Sequence, residues 1–169
     1  MRYILFISIL WINGWYATAQ NWHTKVGQQV PYFEIETKDG TKKSTETLEG
    51  KVVLINFFAT WCPPCRQELP EVQKQIWDKH KDREDFEIVV LARQEGWDKL
   101  TPFVEQFGYT FPFYPDLNRK VYSLFAPDTI PRNVIIDRNG KIIYQSIGYE
   151  PEEFAKMVDL IQLHLDQPY

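Results

Sequence analysis

The chain has 169 residues and a formal net charge of −4, which is enough for one domain of ordinary size. Its composition is 44% hydrophobic, 25% charged and 15% aromatic, which is typical of a folded protein and unlike that of a disordered chain. The acidic balance argues against the basic surfaces by which proteins bind nucleic acid or anionic membranes. The sequence therefore predicts one folded domain without a nucleic acid partner.

The first 19 residues differ from the rest and have the pattern of an export signal. Arg2 is their only charge, residues 3–12 are an apolar run, and residues 17–19 (Ala-Thr-Ala) form the small-x-small pattern that signal peptidases cleave. We predict cleavage before Gln20, which leaves residues 20–169 as the domain. The alternative is an uncleaved membrane anchor, although the segment is at the short end for a membrane span. Both alternatives place the domain in the periplasm or another extracytoplasmic compartment.

The first predicted elements after this segment are a hairpin and a buried strand. Residues 32–37 alternate apolar and polar side chains, as a half-exposed strand does. Asp39-Gly40 is a typical hairpin turn and precedes a short return segment at 41–45. Residues 52–58 are a continuous apolar run, which indicates a central strand covered on both faces.

A helix is predicted next, from the residues after the two cysteines to about Lys79. Leu69, Val72 and Ile76 give it an apolar stripe at helical spacing. Pro70 lies inside this helix and is expected to kink it. His80 follows among charged residues, which predicts a solvated helix end.

The second half of the chain predicts further strands and helices in alternation. In chain order these are a strand at 86–91, a helix at 98–107 ended by Gly108, a short helix at 118–125, strands at 133–137 and 141–144 joined by a turn, and a helix from Pro151. The aromatic, proline-interrupted segment 111–115 is assigned no element. Interleaved strands and helices predict an α/β sandwich, and the late hairpin requires antiparallel strands in its sheet.

The two cysteines, Cys62 and Cys65, are the chain's only thiols and carry the clearest chemical signal. Their C-x-x-C spacing follows a buried strand and opens a helix, which is typical of a redox pair. Half of a zinc site, or an inert pair, is the alternative. A helix N-terminus stabilises a thiolate. We expect Cys62 to be exposed at the junction and to attack a partner disulfide, and Cys65, one turn inside, to resolve the mixed disulfide. Pro63 and Pro64 stiffen the turn and donate no N–H groups.

These motifs resemble the thioredoxin superfamily, and within it the TlpA/ResA-like exported thiol–disulfide oxidoreductases of the redoxin group. The resemblance covers most of residues 26–166 and rests on segments 26–33 and 50–70 and on Asp128-Thr129-Ile130-Pro131 before a hairpin. It implies a three-layer sandwich in which helices flank a central mixed sheet, with an extra N-terminal hairpin. It also implies a redox-active Cys62–Cys65 disulfide and no other cofactor or metal.

The resemblance further implies the residues that bind a substrate chain. Pro131 would follow a cis peptide bond and face the disulfide, and Ile130 would offer its backbone to a bound peptide. Trp61, Pro63 and Pro64 would contact the partner around the cysteines. Ordinary packing remains the alternative for Trp61.

Glu68 is the implied proton carrier. It matches the acidic residue of the C-x-x-C-x-x-E-x-P pattern and would lie beneath the thiols, one turn beyond Cys65. A solvated helix carboxylate is the alternative. Asn56 stands where cytoplasmic thioredoxins carry a buried acid, a departure that fits the TlpA/ResA-like group.

The implied function is the reduction of disulfides in exported proteins or apocytochrome c by a monomer that a membrane thiol donor recharges. Two alternatives remain. A peroxiredoxin-like peroxidase needs Thr or Ser three residues before the reactive cysteine and Pro seven before, where this chain has Ala59 and Ile55. A copper-binding thioredoxin-like chaperone needs C-x-x-x-C spacing and a distant histidine.

Overall fold

The computed structural model describes residues 21–168 and consists of a five-stranded mixed sheet with the order β5-β4-β3-β6-β7, preceded by a separate hairpin, β1-β2. The strands are β1 (Glu34–Glu36), β2 (Lys42–Ser44), β3 (Val52–Phe58), β4 (Phe86–Arg93), β5 (Phe113–Asp116), β6 (Arg132–Ile136) and β7 (Ile142–Ile147). The helices are α1 (Pro63–Glu71), α2 (Asp78–His80), α3 (Trp97–Phe107), α4 (Tyr122–Phe125) and α5 (Pro151–Asp166). This is the mixed α/β sandwich with an extra hairpin that the sequence predicts.

The predicted export signal, residues 1–19, lies outside the described residues. Among residues 21–168, no helix has both the length and the apolar character needed to cross a membrane.

Strand β3 is the centre of the sheet and positions the cysteines. All seven of its residues are buried, as its unbroken apolar sequence predicts. It pairs in parallel with β4 on one side and antiparallel with β6 on the other. The carboxyl end of β3 therefore lies beside the start of β6 at one end of the sheet, next to the first turn of α1.

The two faces of the sheet are covered by unequal layers. On one face, α1, α3 and α5 contribute apolar side chains such as Leu69, Phe103 and Ile161 to a common core. On the other face, the core includes Phe33 of the hairpin segment and Phe125 of α4. The extra hairpin is therefore part of the fold's packing, since its residues cover this face of the sheet together with the short helix α4.

The helix after the cysteines continues to His80, as predicted, but its middle is not an α-helix. Pro70 lies within α1, and residues Val72–Trp77 form a π-helical segment before α2. Proline has no N–H to donate, and a wider turn is one way to continue a helix past it. The predicted solvated end is wrong for His80, which is 5% exposed because its ring packs against Phe86 at 5.4 Å.

Strand β5 is an element that the sequence analysis did not predict. It lies at the edge of the sheet, pairs in parallel with β4 and contains Pro115. An edge strand tolerates proline because one row of its backbone groups forms no ladder bonds.

The following helix, α4, is shorter than the predicted 118–125, and β6 and β7 form the predicted hairpin.

Candidate active site

Cys62 and Cys65 form a disulfide at the N-terminus of α1. Cys62 is the N-cap residue, with an extended backbone, and Pro63 and Pro64 occupy the first helical positions. These positions suit proline because its fixed φ matches the helix and the N–H it lacks would have no helical partner. The backbone N–H of Cys65 donates to Cys62 Sγ at 3.3 Å. The helix end thus directs a hydrogen-bond donor at the first sulfur.

The exposure expected for Cys62 is not observed. Cys62 is 2% exposed and Cys65 is fully buried, so burial hardly distinguishes the two residues in this disulfide form. Cys62 Sγ lies 3.9 Å from the carbonyl oxygen of Ile130, and the loop before β6 accordingly covers it. The asymmetry of the pair lies in the N-cap position and in this loop contact.

The loop before β6 faces the disulfide as the resemblance implies. The Ile130–Pro131 peptide bond is cis, Pro131 is buried and Ile130 is half-buried. Arg132, at the start of β6, is 1% exposed and its Nε donates to the carbonyls of Asp128 and Thr129 at 2.9 and 3.0 Å. Sequence reasoning missed Arg132, although its place directly after the Ile-Pro pair was a signal.

Glu68 lies on α1, one turn after Cys65, and its side chain is almost fully buried. Its Oε2 accepts from Asn56 Nδ2 at 2.9 Å and its Oε1 from Asn133 Nδ2 at 2.5 Å. Asn56 Nδ2 also donates to Asn133 Oδ1 at 2.7 Å. The alternative of a solvated carboxylate is therefore wrong. Asn56 of β3 and Asn133 of β6 are neighbours in the sheet, and Asn133 was not identified from the sequence.

Burial raises the pKa of Glu68 from 4.5 to about 7, against the smaller lowering effect of the hydrogen bonds from Asn133 and Asn56. A carboxyl group with this pKa exchanges protons near neutral pH, as a general acid or base must. A small cavity of about 10 Å³ lies beside Glu68, Asn133 and Ser146. This volume matches about one water molecule.

Glu95, in the connection between β4 and α3, holds the loop that leads into the cysteines. Its Oε2 accepts from the Thr60 backbone N–H at 2.7 Å, and its Oε1 accepts from the Thr60 hydroxyl at 2.6 Å. Glu95 is 6% exposed. The sequence analysis missed it because 35 residues separate the two partners.

Apolar residues flank the two cysteines along the chain. Trp61 is 63% exposed, Pro63 is exposed and Pro64 is half-buried. Phe107, at the end of α3, is 39% exposed, and the guanidinium carbon of Arg66 lies 5.1 Å from the centre of its ring. With most of its side chain exposed, Trp61 is accessible for contact with another protein.

Comparison with known proteins agrees with this geometry. The Redoxin family model matches residues 25–161. The thiol-disulfide oxidoreductase ResA of Bacillus thuringiensis (strain Al Hakam) is 32% identical over 141 residues, which cover 83% of this chain and 79% of that protein. The thioredoxin-like protein YneN of Bacillus subtilis is 33% identical over 163 residues, which cover 93% of this chain and 95% of that protein.

A solved structure shows the same architecture. It is the solution structure of a protein from Bacteroides thetaiotaomicron described as a candidate disulfide isomerase, with a TM-score of 0.83 and 37% identity. The match covers 87% of this chain and 94% of that one. With a disulfide at a helix N-cap and relatives that are named thiol–disulfide oxidoreductases, the chain belongs to the Redoxin family as a TlpA/ResA-like disulfide oxidoreductase of the thioredoxin superfamily.

Proposed function

We propose that this protein reduces disulfides of exported proteins, apocytochrome c among them, outside the cytoplasm. The observation that carries the proposal is the Cys62–Cys65 disulfide at the N-terminus of α1, in contact with the loop of Ile130 and Pro131. The name thiol-disulfide oxidoreductase, borne by the ResA relatives, supports a substrate that contains a disulfide. The apolar leader of residues 1–19 supports export.

The reaction transfers two electrons and two protons from the reduced pair to the substrate. The Cys62 thiolate attacks one sulfur of the substrate disulfide, and the other sulfur leaves as a thiolate that takes up a proton. Cys65 then loses its proton and its thiolate attacks Cys62 Sγ, which forms the Cys62–Cys65 disulfide and expels the second substrate sulfur as a thiolate that also takes up a proton. Glu68, buried one turn beyond Cys65 and with its pKa near 7, receives the Cys65 proton.

Direction follows from how strongly the Cys62 thiolate is stabilised. A strongly stabilised thiolate favours the reduced protein and makes an oxidant. Pro63 and Pro64 carry neither a charge nor an N–H, so the first helical N–H available to Cys62 Sγ is that of Cys65. This limited stabilisation supports a reductant with a potential of about −200 to −270 mV, which a membrane thiol donor must recharge.

Two measurements test the proposal. Equilibration with glutathione or dithiothreitol buffers, followed by Trp61 fluorescence, should give a potential in that range; a value more positive than about −150 mV would make the protein an oxidase. A Cys65→Ala variant expressed in the native host should accumulate mixed disulfides on Cys62 with exported proteins. The Cys62→Ala variant is the matched control and should trap none of them. Trapped partners confined to the cytoplasm would contradict export.

A further inference from the structure

Three arginines, which we call the arginine cluster, meet beside the loop that faces the disulfide. The guanidinium carbons of Arg93 and Arg119 lie 5.0 and 5.1 Å from the ring centre of Tyr122. The guanidinium carbon of Arg132 lies 4.4 Å from the ring of Trp22. Arg93 ends β4, Arg119 precedes α4 and Arg132 begins β6, so three distant parts of the sequence bring these charges together.

Nearby acids only partly balance this charge. Within residues 21–168, the carboxylate that forms an ion pair with the cluster is Asp128, 3.9 Å from Arg132 Nη2 and 64% exposed. Asp116, at the end of β5, is buried and accepts the backbone N–H groups of Val121 and Tyr122. The chain as a whole is acidic, with a net charge of −4. The positive charge here is therefore a local feature and does not reflect the overall composition.

The cluster also contains unpaired hydrogen-bond donors. In the described part of the chain, four buried nitrogens lack a partner at this place: Arg93 Nε, Arg119 Nε, Arg132 Nη1 and Trp22 Nε1. The Arg132 side chain is 1% exposed, so bulk solvent does not reach its guanidinium group. Buried polar groups are almost always hydrogen-bonded. Four unpaired donors and no unpaired acceptor at one place have the chemistry to receive an anion.

Backbone conformation singles out the same place. Over residues 21–168, the non-glycine residues with positive φ are Gln94 (64°), Arg119 (56°) and Thr129 (66°). Gln94 follows Arg93, Arg119 belongs to the cluster, and the Thr129 carbonyl accepts from Arg132 Nε. Side chains disfavour this conformation, and such residues concentrate at binding and catalytic sites.

The cluster is joined directly to the loop that touches the disulfide. The Thr129 carbonyl accepts from the Tyr122 hydroxyl at 2.8 Å and from Arg132 Nε at 3.0 Å. The next carbonyl along the chain, that of Ile130, lies 3.9 Å from Cys62 Sγ. A substrate chain bound along Ile130 would therefore pass close to the arginine cluster.

We propose that the arginine cluster binds a carboxylate side chain of the substrate protein that lies beside the disulfide to be reduced. Arginine is suited to this role because its planar fork donates paired hydrogen bonds to a carboxylate. The half-buried Arg93 and Arg119 contact the acid, and the buried Arg132 adds charge while it holds the loop. This inference rests on the proposed function, since it describes the substrate of the same reaction.

The test uses two disulfide-bonded peptides that are identical except for Glu or Gln next to the reactive cysteine. We expect the reduced wild-type protein to show a kcat/KM about tenfold higher for the Glu peptide. Arg119→Gln should bring this ratio close to one. Lys120→Gln removes the same charge from an exposed neighbour outside the cluster and should leave the ratio unchanged. Thermal unfolding checks that each variant is folded.

The outcomes separate the inference from the function on which it rests. The arginine site is overturned if the wild-type ratio of kcat/KM for the two peptides is near one, or if Lys120→Gln and Arg119→Gln lower it equally. In either case, the proposed function still stands as long as both peptides are reduced. Failure of the wild type to reduce the Gln peptide contradicts the proposed function itself. If Arg119→Gln does not fold, the test is the salt dependence of the wild-type preference for the Glu peptide. About 1 M salt screens the charges and should abolish this preference, and a preference that persists overturns the arginine site.

Discussion

Burial of Glu68 makes the stability of the oxidised protein depend on pH. The unfolded chain ionises this carboxyl group near pH 4.5, whereas in the folded protein its pKa is about 7. Between these two values the unfolded state loses its proton first, so the free energy of unfolding falls as the pH rises. Below this window Glu68 is protonated in both states and does not lower the free energy of unfolding. Above about pH 7 it is ionised in both states, and the full loss in the free energy of unfolding is reached.

Replacing Glu68 with Gln should remove this dependence. From about pH 5 to pH 8, the wild type should lose about 2.5 kcal/mol of stability relative to Glu68→Gln. A glutamine amide can also donate to Asn56 Oδ1, which has no hydrogen-bond partner in the described structure. Urea unfolding of both oxidised proteins at the two pH values checks this expectation.

The matched control for this experiment is Glu71→Gln, a half-buried carboxylate one turn further along the same helix. It should change the pH dependence far less. If the free energy of unfolding of the wild type and of Glu68→Gln changed with pH in the same way, the Glu68 carboxyl group would have an ordinary pKa. The same variant should also shift the pH profile of disulfide exchange if Glu68 carries the Cys65 proton, and an unchanged profile would exclude that role.

At the scale of elements, the loop between β3 and α1 is held in place by a residue from the loop between β4 and α3. Glu95 accepts both the backbone N–H and the hydroxyl of Thr60, two residues before Cys62. This fixes the backbone that leads into the disulfide. Because Glu95 follows β4 and Thr60 follows β3, the parallel pairing of these two strands places the partners side by side.

We therefore expect Glu95→Gln to lower both stability and the exchange rate. The amide nitrogen cannot accept the hydrogen bond that one carboxylate oxygen accepts, and the loss should cost about 1–2 kcal/mol. Displacement of Cys62 should slow disulfide exchange roughly tenfold in the folded protein. Thr60→Val keeps the backbone bond to Glu95 and should affect both quantities less. Wild-type exchange in Glu95→Gln would show that the loop keeps its position without the carboxylate.

The strands of the sheet differ in how clearly their sequences mark them. Strand β3 is buried throughout, and its continuous apolar sequence made it the clearest prediction. Strand β5 carries Pro115 and a mixed pattern, and it is a strand only because β4 offers a free edge for pairing. The extended conformation of such a segment depends on a neighbour that lies elsewhere in the sequence, which local patterns do not reveal.

At the scale of the whole molecule, two arginines fasten the last helix to the far end of the sheet. Arg138 donates to the carbonyl of His164 at 2.6 Å, and Arg83 donates to that of Leu165 at 3.1 Å. Both arginines also donate to Asp85, at 2.8 Å. The last carbonyls of α5 thereby gain donors, and the positive charges suit the negative end of the helix dipole.

Asp85→Asn tests this arrangement. The hydrogen bond from Arg83, followed by that from Arg138, holds the pKa of Asp85 well below its usual range. This carboxylate therefore stabilises the fold above about pH 4, and its contribution disappears as the pH falls further. Because Asp85 is partly exposed, we expect the substitution to cost only about 1 kcal/mol at neutral pH. The exposed Asp82 provides the control variant, and equal stabilities of Asp82→Asn and Asp85→Asn would contradict this role.

The sequence by itself determined the features that depend on neighbouring residues. The redox pair, the order of most elements and the N-terminal hairpin follow from spacing, apolar runs and turn residues over short stretches. The family resemblance placed Glu68 and Pro131 next to the cysteines. The order of most elements and the hairpin were predictable because hydrophobic period and helix capping act over a few residues.

Only the tertiary structure decided which distant residues complete the site. Asn56 and Asn133 surround Glu68 because β3 and β6 pair, and this burial, with its raised pKa, has no local signal. Likewise, the arginine cluster and the Glu95 contact arise at one end of the sheet, where the chain leaves β3, β4 and β5 and enters β6. The burial of Cys62 was misjudged because the loop that covers it lies 68 residues away. Long-range pairing sets these environments, and pKa values and hydrogen bonds depend on them.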